Sequence, residues 1–100
     1  MAEQRYIGID QDKYGGMTHL GQIVKDGWVF GLIPETETCA GWAPGQMQSL
    51  YERVTAAWDQ YGHLPSRLPP DLRERHDRIY REAMERAKKL GWDPELGEDD

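Results

Sequence analysis

Apolar residues recur at steps of three and four between positions 44 and 61, where Met47, Leu50, Tyr51, Val54, Ala57, Trp58 and Tyr61 fall on one side of a helical wheel. That periodicity predicts a helix. Pro44 suits its first turn, where a missing N–H is not needed, and Gly62 suits the left-handed position just past its end. A second helix is predicted over 71–90, started by the carboxylate of Asp71 with Glu74 three residues on and stopped at Gly91. Five acid-to-base pairs at i,i+4 decorate it: Asp71–Arg75, Glu74–Arg78, Asp77–Arg81, Glu82–Arg86 and Glu85–Lys89. They mark a solvated face. The opposite face, with Leu72, His76, Ile79, Tyr80 and Leu90, is narrow and thinly aliphatic. At ~1.5 Å per residue this helix runs ~30 Å, so it must pack lengthwise or be covered by a second chain, as in a homodimer.

Positions 18–31 support two patterns. On a 100° wheel Leu20, Ile23, Val24, Trp28 and Phe30 share one half, His19, Gln22, Lys25 and Asp26 the other, and Thr18 is placed to cap. The dipeptide Asp26-Gly27 between two apolar triplets is also a hairpin signal, and each internal Gly costs a helix ~1 kcal/mol. The helix is the leading expectation. The fold expected is therefore mostly α: an extended N-terminal arm over 1–17, one helical domain over 18–92 with helices at about 18–31, 44–61 and 71–90, and an acidic tail over 93–100. The alternative is α+β, with a small antiparallel sheet from residues 5–33 and two helices.

Composition narrows the class. Leu, Ile, Val and Phe total only 17 of 100 residues, so the four Trp and five Tyr must supply much of any core. The longest apolar-rich stretch, from Met17 to Ile33, is broken by His19, Gln22, Lys25 and Asp26, which argues against a membrane span. The first residues lack the basic start and apolar block of a secretory signal, and the lone Cys39 suits a reducing compartment, so a cytoplasmic protein is expected. Eight of the twelve basic residues lie between Arg67 and Lys89, yet 71–90 nets only +2 and the whole chain −6. Such a balance does not displace counterions from a phosphate backbone, so nucleic acid is not an expected partner.

Candidate chemistry is sparse. Asp10-Gln11-Asp12 with Gly15 starts like a calcium loop, but the position that needs a bidentate Glu is Gly21. His19, Cys39 and His63 are candidate metal ligands by type, with no paired spacing on one element to support them. No phosphate loop, nucleophile elbow or paired-carboxylate pattern occurs, and acidic neighbours disfavour a Cys39 thiolate, so neither a cofactor nor catalysis is expected.

The connections carry more. Residues 32–43 and 62–70 form linkers longer than the 2–8 residues usual between packed helices, and the second holds three prolines. Leu64 and Leu68 in it are candidates for a lid over the helices. Trp42, His63, Arg67 and Trp92 are the candidate partner-contacting residues, since Trp and Arg dominate interface energetics. Trp92 also fits the apolar residue that packs back after a C-terminal Gly. The functional expectation is a small non-catalytic accessory or adaptor protein that binds a larger protein through these two loops. The alternative is a small ligand- or metal-binding module using Cys39 and histidines.

Overall fold

A computed structural model describes residues 4–92. It holds three helices and, among the described residues, no strand: α1 is His19–Val29, α2 Pro44–Asp59 and α3 Pro70–Lys89. The mostly α expectation is what is found, and the sheet alternative is not. Helix α1 packs against both α2 and α3, which makes it the central element.

The hairpin signal at Asp26-Gly27 is overridden because the glycines of α1 serve close packing. A Cβ on Gly21 would lie 2.1 Å from the Gly16 carbonyl oxygen, and one on Gly27 would lie 3.1 Å from the Ile33 side chain. Thr18 caps α1 by accepting a hydrogen bond from the Gly21 N–H at 3.0 Å. At the other end the Leu32 N–H returns to the Gly27 carbonyl at 2.9 Å, which satisfies a terminal acceptor.

Residues 4–17, expected as an extended or mobile arm, run without a long element but are built into the core. Tyr6 and Ile9 are buried, and single 3-10 turns follow at Ile9–Gln11 and Lys13–Gly15. The backbone groups that an isolated extended segment would leave unpaired find partners in the connection between α1 and α2. Tyr6 N–H donates to Trp42 O at 2.9 Å, Gly41 N–H to Tyr6 O at 2.8 Å, and Ile9 N–H to Thr38 O at 3.0 Å. The compact unit thus reaches back past the expected boundary at 18. The acidic tail over 93–100 lies outside the described residues.

Asp12 fastens this segment to α1. Its carboxylate accepts hydrogen bonds from the Tyr6 hydroxyl at 2.7 Å, from the Thr18 hydroxyl and from the Lys13 N–H at 2.7 Å. Burial pushes its pKa up, but the bonds from Thr18, Tyr6 and Lys13 outweigh it and the net shift is downward. A carboxylate depressed in the folded state stabilises the fold above its unfolded value of ~3.9, and that contribution is lost as pH falls through the lower folded value. Asp12→Asn should therefore lose stability near neutral pH and flatten the acid limb of a pH-dependent urea-unfolding series. An unchanged acid limb would remove Asp12 from this role.

Helix α3 starts at Pro70, one residue before Asp71, with Pro69 as its cap residue and no side-chain cap, because two prolines preset the backbone of the first turn. Among the described residues none of the five expected i,i+4 pairs closes; the arginines reach across the fold instead. Arg78 pairs with Glu35 at 2.9 Å, Arg75 donates to the Val29 carbonyl at 3.2 Å, and Arg86 meets Asp10 at 3.3 Å; the one i,i+4 pair that forms within α3 among the described residues is Arg78–Glu82 at 3.4 Å, in the base-to-acid order. The length of α3 is taken up by α1 and, toward its C-terminal end, by the Lys13–Gly15 turn. The argument for a second chain from helix length alone is thereby removed.

Candidate functional site

Two concave surfaces meet along α1. The first is an open groove of about 920 Å³ between residues 4–7 and the starts of α1 and α2, lined by Ile7, Leu20, Ile23, Trp42, Met47 and Tyr51 among others. It is mainly apolar. Leu20 and Tyr51 come from turns of α1 and α2 that face one another, and Ile7 stands on the extended segment pinned by the Tyr6–Trp42 backbone pairing. Arg5 at its edge donates to the Gly41 carbonyl at 2.8 Å.

The second is a cleft of about 400 Å³ where α1, α2 and α3 converge. Each helix contributes residues spaced at three or four: His19, Gln22 and Asp26 from α1, Tyr51, Thr55 and Trp58 from α2, His76 and Tyr80 from α3. Helical spacing puts each set on one face, and the packing of α1 between the others turns these faces inward. Asp26, 5 % exposed, accepts hydrogen bonds from the Tyr80 hydroxyl and, at 3.2 Å, from the Trp58 indole N–H. One carboxylate thus ties all three helices. Burial pushes its pKa up, and the bonds from Tyr80 and Trp58, with the fields of His76 and Lys25, only partly offset that.

An aromatic wall surrounds Asp26. The His76 ring stacks on Tyr80 at 4.4 Å and meets Trp58 edge-to-face at 5.9 Å, and His19 lies 5.8 Å from Tyr51. His76 Nδ1 is buried without a hydrogen-bond partner. Lys25, also buried, points to the other side of Tyr80, with Nζ 5.1 Å from that ring and 3.8 Å from Met17 Sδ. Burial lowers its pKa.

The residues singled out from sequence separate into different places. Trp42 lines the apolar groove and packs partly on the core. His63 lines the cleft, where it pairs with Asp59 at 2.5 Å, and Arg67 is exposed in the Pro65–Arg67 turn. Trp92 follows Gly91 and donates its backbone N–H to the Ala87 carbonyl at 2.9 Å, as a helix-ending glycine motif requires. The two linkers lie at opposite ends of α2, a helix of ~24 Å, so Trp42 does not join His63 and Arg67 on one surface. Leu68 is buried while Leu64 remains 48 % exposed, so only one of the two lid leucines closes.

Cys39 is fully buried in the core beside Tyr6, and burial with the Glu37 charge pushes its thiol up to about 12. It does not join His19 and His63, which both face the cleft. Among the described residues no group of three or more His, Cys, Asp or Glu side chains is placed to hold a metal ion. No helix among them is long and apolar enough to cross a membrane.

Helical spacing groups His19, Gln22, Lys25 and Asp26 on the polar half of α1 but gives no sign that Asp26 partners Trp58 and Tyr80. The available signal was the coincidence of polar and aromatic residues at helical spacing on all three helices. No family model, curated protein or solved structure matches the chain.

Proposed function

We propose that this is a non-catalytic accessory protein that docks a larger protein, and that the docking surface is the apolar groove, in place of the two linkers. The observation that carries this reading is a clustering. Of the six exposed large hydrophobic residues among those described, Ile7, Leu20 and Tyr51 share the groove, with Trp42 beside them. Scattered exposed hydrophobics need no explanation, whereas three around one concavity lined by a Trp form an interaction site. An open groove with a mainly apolar lining suits a partner segment that presents an apolar face. A reducing, cytoplasmic setting accompanies this reading, since the one cysteine is held as a buried free thiol.

A photo-crosslinking residue at position 20, introduced in the organism that makes the protein, should capture one partner through a defined segment. A synthetic peptide of that segment should then bind the purified protein. Ile7→Lys with Leu20→Glu should weaken the peptide on the order of a hundredfold, because two buried aliphatic contacts of ~1.5 kcal/mol each are lost. The helical circular dichroism should not change, both positions being exposed. Equal binding by the double variant, or a crosslink only to a second copy of the chain, would overturn the reading.

A further inference from the structure

We infer that the three-helix cleft is a binding site for a small organic cation, an amine or quaternary ammonium, seated against the aromatic wall with Asp26 as its counter-charge. This goes beyond the docking reading and does not depend on it.

Four features of the cleft point to that ligand class. Its volume of about 400 Å³ falls within the ~300–1,000 Å³ typical of small-molecule sites. Its lining includes one carboxylate, Asp26, and neither Lys nor Arg. The rest is largely aromatic, with Tyr51, Trp58 and Tyr80 joined by the three histidine rings. Aromatic faces carry negative potential and attract cations, most strongly where water is thin. Anionic ligands have no fixed positive partner there.

Asp26 is also short of compensation. Its two hydrogen bonds come from the uncharged donors Tyr80 and Trp58, one to each oxygen, and an ionised carboxylate has about four acceptor sites. Among the described residues no ion pair reaches it; Lys25 acts only from beyond contact, with its ammonium held over the Tyr80 ring. The upward pull of burial on the carboxyl exceeds everything its neighbours return. A buried carboxylate in this state gains from a cation that can reach it, and the exposed His19, Gln22 and Tyr51 leave the cleft open to solvent.

A purely structural role for Asp26, pinning three helices, makes no demand on cations, so the test turns on charge. The indole N–H resonance of Trp58, assigned with Trp58→Phe, would be followed in nitrogen-15 spectra during titrations up to about 50 mM, a range that reaches weak millimolar binding. The probes are tetramethylammonium, choline and 2-phenylethylammonium, with 3,3-dimethylbutan-1-ol as the neutral analogue of choline. At least one cation should give a saturable shift, with the neutral analogue about tenfold weaker or absent. Asp26→Asn should weaken the cation about tenfold as well. Because that variant could also loosen the fold, Gln22 at the exposed cleft lining supplies a second reading: Gln22→Glu should tighten and Gln22→Lys weaken the same cation, each about threefold. No saturable shift with any of the three cations, equal binding of the neutral analogue, or Gln22 variants that fail to move in opposite directions would each overturn the assignment. The docking groove keeps its own readout at Ile7 and Leu20, which the cleft does not use.

Discussion

Gly21→Ala should lower stability by ~3 kcal/mol or more, enough to drop the melting temperature of a domain this size by about 12–24 °C. Intrinsic propensity predicts the reverse, since Ala is preferred over Gly in a helix interior by ~1 kcal/mol. Packing decides the sign. The added methyl would stand 2.1 Å from Gly16 O and 2.6 Å from the Gly16 Cα and carbonyl carbon, all backbone atoms. Gly16 cannot retreat, because its N–H is bound to Lys13 O and the Ile9 side chain fills the space on its other side. Moving α1 instead would disturb its contacts with both α2 and α3. Gly45→Ala is the control: no atom lies within 4 Å of its added Cβ in the first turns of α2, so propensity acts alone and a small gain is expected. Thermal unfolding followed by circular dichroism compares the two. A stable Gly21→Ala protein would mean that α1 does not approach the Gly16 turn this closely.

That contact also shows where sequence reading stops. The periodic faces of α2 and α3 were legible because local spacing alone fixes which residues share a side, and the ends moved by one or two residues: α3 starts one earlier, at Pro70, and α2 and α3 stop at Asp59 and Lys89, short of 61 and 90. In α1 local cues conflicted: Asp26-Gly27 reads as a turn unless one knows that Gly21 meets Gly16 and Gly27 meets Ile33. Those neighbours are close in sequence, but the approach exists only after the segment before α1 has folded. The same holds for that segment. Tyr6 and Ile9 have no local period to announce burial, and their backbone partners lie at Thr38, Gly41 and Trp42, more than 25 residues away.

The two surfaces differ in how far they could be read. Trp42 was legible as an aromatic residue outside any helical face, and it does line the groove. Its companions Ile7 and Leu20 were not, because an apolar residue in a predicted arm or on a predicted core face gives no sign that it will remain exposed. The cleft was hidden for the opposite reason. A polar stripe on one helix normally faces water, and His19, Gln22, Lys25 and Asp26 form such a stripe on the wheel of α1. Placing α1 between two other helices buries Lys25 and Asp26, and only then does Asp26 meet Trp58 and Tyr80, 32 and 54 residues further along.

Removing that carboxylate should be the other large effect. Asp26→Ala strands the Trp58 N–H and the Tyr80 hydroxyl in a confined site and opens a gap between the helices, for an expected loss of ~2–4 kcal/mol. Tyr80→Phe takes away one donor and leaves the carboxylate less compensated, for ~1–3 kcal/mol. If Asp26 pins the helices through these bonds, the double variant costs less than the sum of the singles by ~1 kcal/mol or more, since each single loss already breaks the shared bond. The pH dependence supplies a separate sign. A carboxyl whose folded pKa is raised binds a proton more readily in the folded state, so Asp26 adds stability as pH falls through its folded value toward the unfolded ~3.9, opposite to Asp12. Asp26→Ala should therefore steepen the acid limb of the stability curve, where Asp12→Asn flattens it. Urea unfolding of the four-member cycle across that range measures both quantities, and additive costs would show that Asp26 and Tyr80 act independently.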